Sequence, residues 1–275
     1  MPTHIRNPRV LVFDSGVGGL SIAHAIRQHC DIDTIYASDN AAFPYGTKSE
    51  QTLIDRTKCV LEAIQKQVDA DIIVIACNSA STVTLPVLRQ CFTEPVIGVV
   101  PAIKPAASLS QSKVIGLLAT PGTVSRDYTL DLIETFASDC CIVPLGCAEL
   151  VYFAEEKLKG RSIDKSKLAQ LMQPLARDKN IDTIVLACTH FPLLLEELKA
   201  VLPHIQHWVD SGDAIARRVA YWIKELGFEK GTQAIKGQSF FTRRDDSIEQ
   251  LQSALAANQL DNVNIIELPF NNSDK

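Results

Sequence analysis

The sequence predicts an α/β protein built from two pseudo-symmetric, doubly wound domains with mainly parallel sheets and a site in the cleft between them. Three observations carry this expectation. Short β-branched or aliphatic runs each feed a loop and then a helical pattern, a strand-length motif ending in cysteine occurs twice, and the 275 residues exceed what one hydrophobic core usually serves.

The runs Val10 to Phe13, Ile72 to Ile75, Val114 to Leu118 and Ile184 to Leu186 lack the in-out alternation of a half-exposed sheet, as strands covered on both faces do. Helical patterns at Leu20 to Gln28, Gln51 to Gln67, Leu130 to Ala137 and Ala214 to Leu226 supply the cover. The polar stretches Lys157 to Lys167 and Glu229 to Gln238 read as exposed connections.

The repeat is Asp71-Ile-Ile-Val-Ile-Ala-Cys77 against Asp182-Thr-Ile-Val-Leu-Ala-Cys188, identical at five of seven positions. A fainter echo relates Arg9-Val10, Gly18 and Ser21 to Lys113-Val114, Gly122 and Ser125 in the same order. Pro101 and Pro105 mark the break. The expected division is residues 1–100 with 209–275 in the first domain, the C-terminal segment folding back onto it, and 101–208 in the second.

Composition narrows the function classes. At 46% hydrophobic and 21% charged residues the chain has ample material for a packed core, which excludes a disordered polypeptide. A net charge of -5 with scattered basic residues gives no footprint for nucleic acid. The start MPTHIRNPRVLVF has no signal-peptide run and later apolar runs are strand-length, so no membrane association and a cytoplasmic location are expected. There the eight cysteines stay thiols.

A lone cysteine in an apolar run is ordinarily an inert core residue, and Cys30, Cys59, Cys91 and Cys147 are read so. Cys77 and Cys188 differ. Each ends an apolar strand at the carboxyl edge where open parallel sheets bind ligands, and each is followed by polar residues, Asn78-Ser79 and Thr189-His190. A helix N-terminus there is expected to lower a thiol's pKa. Two such thiols facing one another across a cleft could take a proton from one side of a tetrahedral carbon and return one to the other, inverting it. A Cys/His hydrolase using His190 is the competing thiol chemistry. Neither cysteine has C-x-x-C or His-pair spacing, so no metal site is expected.

The other polar loops are less specific. Asp14-Ser15-Gly16-Val17-Gly18-Gly19 could present backbone amides to an anion, or be a tight turn with Asp14 or Ser15 as a cap. Asp14 could also hold an ammonium group or raise the basicity of a nearby thiol. Tyr45 and Gly46 sit in a proline-bounded turn, and Thr120 to Thr123 suits a helix cap. Glu149 falls at an expected helix start, and His190 is placed to relay protons or stabilise a thiolate.

Together FDSGVGG (13–19), PYG (44–46), ACNSAS (76–81), ATPGT (119–123) and ACTHFP (187–192) resemble the glutamate racemase family over nearly the whole chain. The resemblance implies that Cys77 and Cys188 are the acid/base thiols, supported by Asp14, His190 and Glu149. It implies substrate contacts from Asp14, Ser15, Tyr45, Gly46, Asn78, Ser79, Thr189 and His190, with Ser79 replacing the usual threonine. It further implies L- and D-glutamate as substrates, no pyridoxal phosphate or other cofactor, and a role in supplying D-glutamate for peptidoglycan. An aspartate or other amino-acid racemase and a non-catalytic binding protein of the same fold are the alternatives. Family members differ in dimer arrangement and activator use, so a homodimer and a peptidoglycan-precursor effector are carried as expectations.

Overall fold

The computed structural model describes residues 6–229 and 236–268. It contains a sheet of six strands and a sheet of four. The strands are β1 (Arg9–Asp14), β2 (Asp33–Ser38), β3 (Ile72–Ile75), β4 (Val96–Gly98), β5 (Val114–Ala119), β6 (Cys141–Gly146), β7 (Thr183–Ala187), β8 (His207–Val209), β9 (Gly237–Phe241) and β10 (Val263–Ile265). Their orders are β10-β9-β2-β1-β3-β4 and β6-β5-β7-β8. The run β2-β1-β3-β4 is thus repeated as β6-β5-β7-β8, with β3 and β7, the cysteine-bearing strands, in equivalent places. All the paired strands of both sheets run parallel.

Alternation within each buried strand divides the first core in two. Val10, Val12, Ile72 and Val74 face the helices Leu20–His29 and Gly212–Glu225, whereas Leu11, Phe13, Ile73 and Ile75 face Glu50–Gln65 and Asn78–Cys91. Both faces are therefore dry, and each fully buried aliphatic side chain contributes roughly 1.5–3 kcal/mol. In the second sheet Ile184 and Leu186 pack toward Leu150 and Leu198, while Val185 and Ala187 pack toward Ile103 and Ala106.

The first residue of each repeat has its own structural reason. Asp71 accepts from the Arg9 amide at 2.7 Å and takes two bonds of 2.6 Å from the Arg6 guanidinium. Asp182 accepts from the Ser110 hydroxyl at 2.7 Å and from the Gln111 and Ser112 amides at 2.8 Å. In both units the carboxylate at the foot of the cysteine-bearing strand fixes the chain entering its neighbour.

The segment read as an exposed connection from Glu229 to Gln238 needs correction at its end. Gly237 and Gln238 begin β9, which pairs with β2, and residues 230–235 lie outside those described. A Cβ at Gly237 would run into the carbonyl of Gln259, so only glycine permits that approach. The helix Gly212–Glu225 packs on Leu20–His29, and Ser211 Oγ donates to the Val100 carbonyl at 2.6 Å where the chain passes between the two sheets. Among the described residues no helix is long and apolar enough to cross a membrane.

Candidate active site

Cys77 lies two residues beyond the end of β3, after Ala76, and is the N-cap of the helix Asn78–Cys91. Cys188 follows β7, but the chain beyond it makes a short 3-10 turn at Phe191–Leu194 before the helix Leu195–Val201 begins. Both cysteines are buried, and both line one pocket between the sheets, with about 430 Å³ of atom-free space including its mouth. Of the other residues expected at the site, Asp14, Ser15, Tyr45, Gly46, Asn78, Ser79, Thr189 and His190 share that lining. Glu149 does not.

Asp14, at the end of β1, is fully buried and organises the glycine-rich turn. Its carboxylate accepts from the Ser15 amide at 2.7 Å, the Gly19 amide at 2.5 Å and the Thr189 hydroxyl at 3.2 Å. The last of these joins the two units. The Val17 amide is bonded to Glu155 Oε1 at 2.9 Å. At these positions the anions held by the loop are the protein's own carboxylates. Gly16 and Gly18 are required by the same packing, because a Cβ at Gly16 would overlap Glu155 and one at Gly18 would overlap the His190 ring.

His190 lies between sulfur and carboxylate. Its Nδ1 is 3.9 Å from Cys188 Sγ and its Nε2 is 2.8 Å from Glu155 Oε1. Burial pulls its pKa down, but the contacts with Cys188 and Glu155, reinforced by the charge of Asp14, win and hold it well above the ordinary histidine value. Both ring nitrogens are thus engaged, one by sulfur and one by carboxylate, and these contacts favour the protonated ring.

Cys77 has different neighbours. Its Sγ–H donates to Ser15 Oγ at 3.7 Å. Burial raises its pKa far above the free thiol value, and the negative charge of Asp14 adds to that rise. Donation from the Ala80 amide at the helix start opposes the shift without reversing it. The sequence expectation that a helix N-terminus leaves this thiol acidified is thus overturned: desolvation is the larger effect.

Glu149 is corrected by position. It is exposed at the first turn of the helix Glu149–Leu158 and accepts from the Cys147 thiol at 3.6 Å, whereas Ala148 and Val151 on either side of it line the pocket. Cys147 itself is pushed up to about 11, chiefly by burial. The carboxylate that reaches the site is Glu155, further along the same helix. Its signal was available, since Leu150, Val151 and Ala154 form the buried face and Glu155 falls in register with Val151 at i+4. Arg126 was also missed. It crosses the cleft to donate to the Ser79 carbonyl and to Thr82 Oγ1, the latter at 2.7 Å.

With this geometry in place, similarity to known proteins becomes informative. The profile of the family described as Asp/Glu/Hydantoin racemase matches residues 20–219. The chain belongs to that racemase family. It is 56% identical over 221 residues to the glutamate racemase of Pectobacterium carotovorum, covering 80% of this chain and 78% of the relative. An Escherichia coli glutamate racemase is 50% identical over 250 residues, covering 90% and 87%. Among solved structures, E. coli glutamate racemase in complex with L-glutamate and the activator UDP-MurNAc-ala aligns with a TM-score of 0.89 at 45% identity, covering 96% of this chain and 100% of that one. Glutamate racemase RacE1 of Bacillus anthracis aligns at 0.82 with 26% identity, covering 98% and 100%. The two α/β units are therefore the racemase architecture, and the protein is an isomerase.

Proposed function

We propose that this racemase interconverts L- and D-glutamate by passing protons through Cys77 and Cys188, without a cofactor, to supply D-glutamate for peptidoglycan in the cytoplasm. One observation carries the mechanism: sulfurs from equivalent strand ends of two repeated units line a single pocket. The thiolate on one side takes the α-proton, the electron pair is delocalised toward the α-carboxylate, and the thiol on the other side donates its proton to the opposite face. One S–H bond forms and one breaks, so the pair exchanges roles with each turnover.

The remaining residues fit around that exchange. Asn78 Nδ2 is buried without a hydrogen-bond partner among the described residues, at the start of a helix whose first amides and dipole favour an anion, so a substrate carboxylate satisfies it. Asp14 is suited to the substrate ammonium, while the His190 imidazolium, held by Glu155, balances charge at Cys188. L-glutamate and UDP-MurNAc-ala are bound by the E. coli relative. We extend both to this chain as substrate and as the class of activator, a peptidoglycan precursor.

The test is turnover in deuterated water with Cys77→Ser and Cys188→Ser. Wild-type product carries solvent deuterium at the α-carbon, and each variant loses racemisation in both directions. Each retains α-proton exchange only with the enantiomer facing its surviving thiol, opposite enantiomers for the two variants. Wild-type turnover in either variant sinks the two-thiol route. A covalent acyl-enzyme seen by mass spectrometry redirects the site to hydrolysis.

A further inference from the structure

Behind the Tyr45–Gly46 wall of the pocket lies a buried carboxylate that lines no part of it. Asp39, fully buried just beyond β2, accepts from the Tyr45 hydroxyl at 2.6 Å, from Arg56 Nε and Nη2 at 2.7 and 2.8 Å, and from the Thr242 hydroxyl at 2.6 Å. Its backbone is held as well, since its amide donates to the Asp14 carbonyl and its carbonyl accepts from the Ala42 amide, both at 3.0 Å. One side chain thus joins the pocket wall, the helix Glu50–Gln65 and the residue that follows β9. A buried carboxylate persists only where donors of this kind surround it, and a bidentate guanidinium fixes its plane as well as its charge.

The Tyr45 side chain is buried, its ring packs 6.0 Å from that of Phe13, and its hydroxyl is committed to Asp39. The pocket therefore meets the ring and main chain of this segment and not its phenol. Gly46 faces the second unit so closely that a Cβ there would stand 3.0 Å from the Thr120 side chain. A small displacement of the segment narrows or widens the cleft, and misplacement of about 1 Å costs on the order of 10²-fold in rate.

We propose that Asp39, clamped by Arg56 and Thr242, is a positioning residue that sets the Tyr45–Gly46 wall of the pocket and, through it, the affinity for the substrate. This rests on the racemase reading above. The C-terminal segment, none of whose described residues lines the pocket, takes part through Thr242.

The experiment measures KM and kcat for both glutamate enantiomers, with melting temperature, in Asp39→Asn, Thr242→Val and Thr242→Ser. Thr242→Val removes one of the four bonds to the carboxylate and is expected to raise KM about 3- to 10-fold with kcat within about 2-fold, while Thr242→Ser, which keeps the hydroxyl, returns KM to wild type. Asp39→Asn is expected to raise KM about 10-fold or more and to lower kcat. If Asp39→Asn does not fold, the Thr242 pair decides. Lower melting temperatures with wild-type KM in the folded variants overturn the proposal, because the cluster then serves stability alone. Equal KM in Thr242→Val and Thr242→Ser overturns it too. Absence of turnover in the wild type, by contrast, removes the racemase reading and leaves its own failure distinguishable.

Discussion

The two halves of the site are built from matching strands and yet are chemically unequal. Cys77 stands at a helix start, beside Ser15 and under the repulsive charge of Asp14, and is held as a thiol. Cys188 stands beside the His190 ring, which is itself paired with Glu155 and favoured in its protonated form. A repeated backbone therefore need not give repeated surroundings, because the neighbours of each sulfur arrive from other elements. Glu155 comes from the helix Glu149–Leu158, Asp14 from β1 of the other unit. The asymmetry is a physical consequence of which side chains each strand end meets.

Removing either sulfur is the severest way to test whether both halves are needed. Cys77→Ser and Cys188→Ser should each lower racemisation by about 10³-fold or more, the scale of lost acid/base catalysis. Because the enantiomers have equal free energy in water, kcat/KM must fall equally in both directions. Unequal losses would point to a measurement artefact, and retention of activity would make one half dispensable.

Removing the support of one half sharpens the comparison. His190→Gln and Glu155→Gln should lower kcat/KM by about 10²-fold. The α-deuterium isotope effect should rise in the direction in which Cys188 abstracts the proton and stay near wild type in the other. Identical isotope effects in both directions would show that the histidine serves the two thiols alike.

Crowding that support from the opposite side is expected to do less. Gly18→Ala places a Cβ on the His190 ring, so activity should drop about 10-fold or more, with a stability loss of about 1–3 kcal/mol from overpacking. Unchanged kinetics and melting would mean that the ring has room to move.

The ionisation of His190 gives a pH test. Its folded-state pKa is raised, so its stabilisation is full below the unfolded value of about 6.5 and is lost as pH rises through the folded value. The stability difference between wild type and His190→Gln, about 1–3 kcal/mol, should be largest on the acid side and shrink with rising pH in chemical denaturation. A difference that grows with pH would show that the ring is buried neutral. The smallest effect belongs to Glu149→Gln, an exposed helix-start carboxylate, which should change turnover less than about 2-fold and stability by no more than about 0.5 kcal/mol.

Much of this organisation was legible in the residues. Ile72 to Ile75 is the observed β3, and the other apolar runs fall inside their strands with ends one residue short. An uninterrupted aliphatic run reports a two-sided strand wherever it occurs, because the requirement is local to the strand and its covers. The cysteines stood out for a similar reason: a strand that repeats with its last residue intact marks one place in the topology twice. Glu149 misled because a carboxylate near a helix start looks alike whether it meets water or a ligand, and the face on which Glu155 lies depends on how that helix is rotated against the second sheet.

By itself the sequence determined the parallel sheets, the duplicated unit, the paired cysteines at equivalent strand ends and the glycine-rich turn, since each is a pattern of neighbours along the chain. Only the tertiary structure decided which groups surround each sulfur. It brought Glu155 to His190, turned Asp14 into an internal acceptor, and let desolvation outweigh the helix terminus at Cys77. Ionisation depends on charge and solvent within a few ångströms in space, and those neighbours are set by packing between elements far apart in the chain.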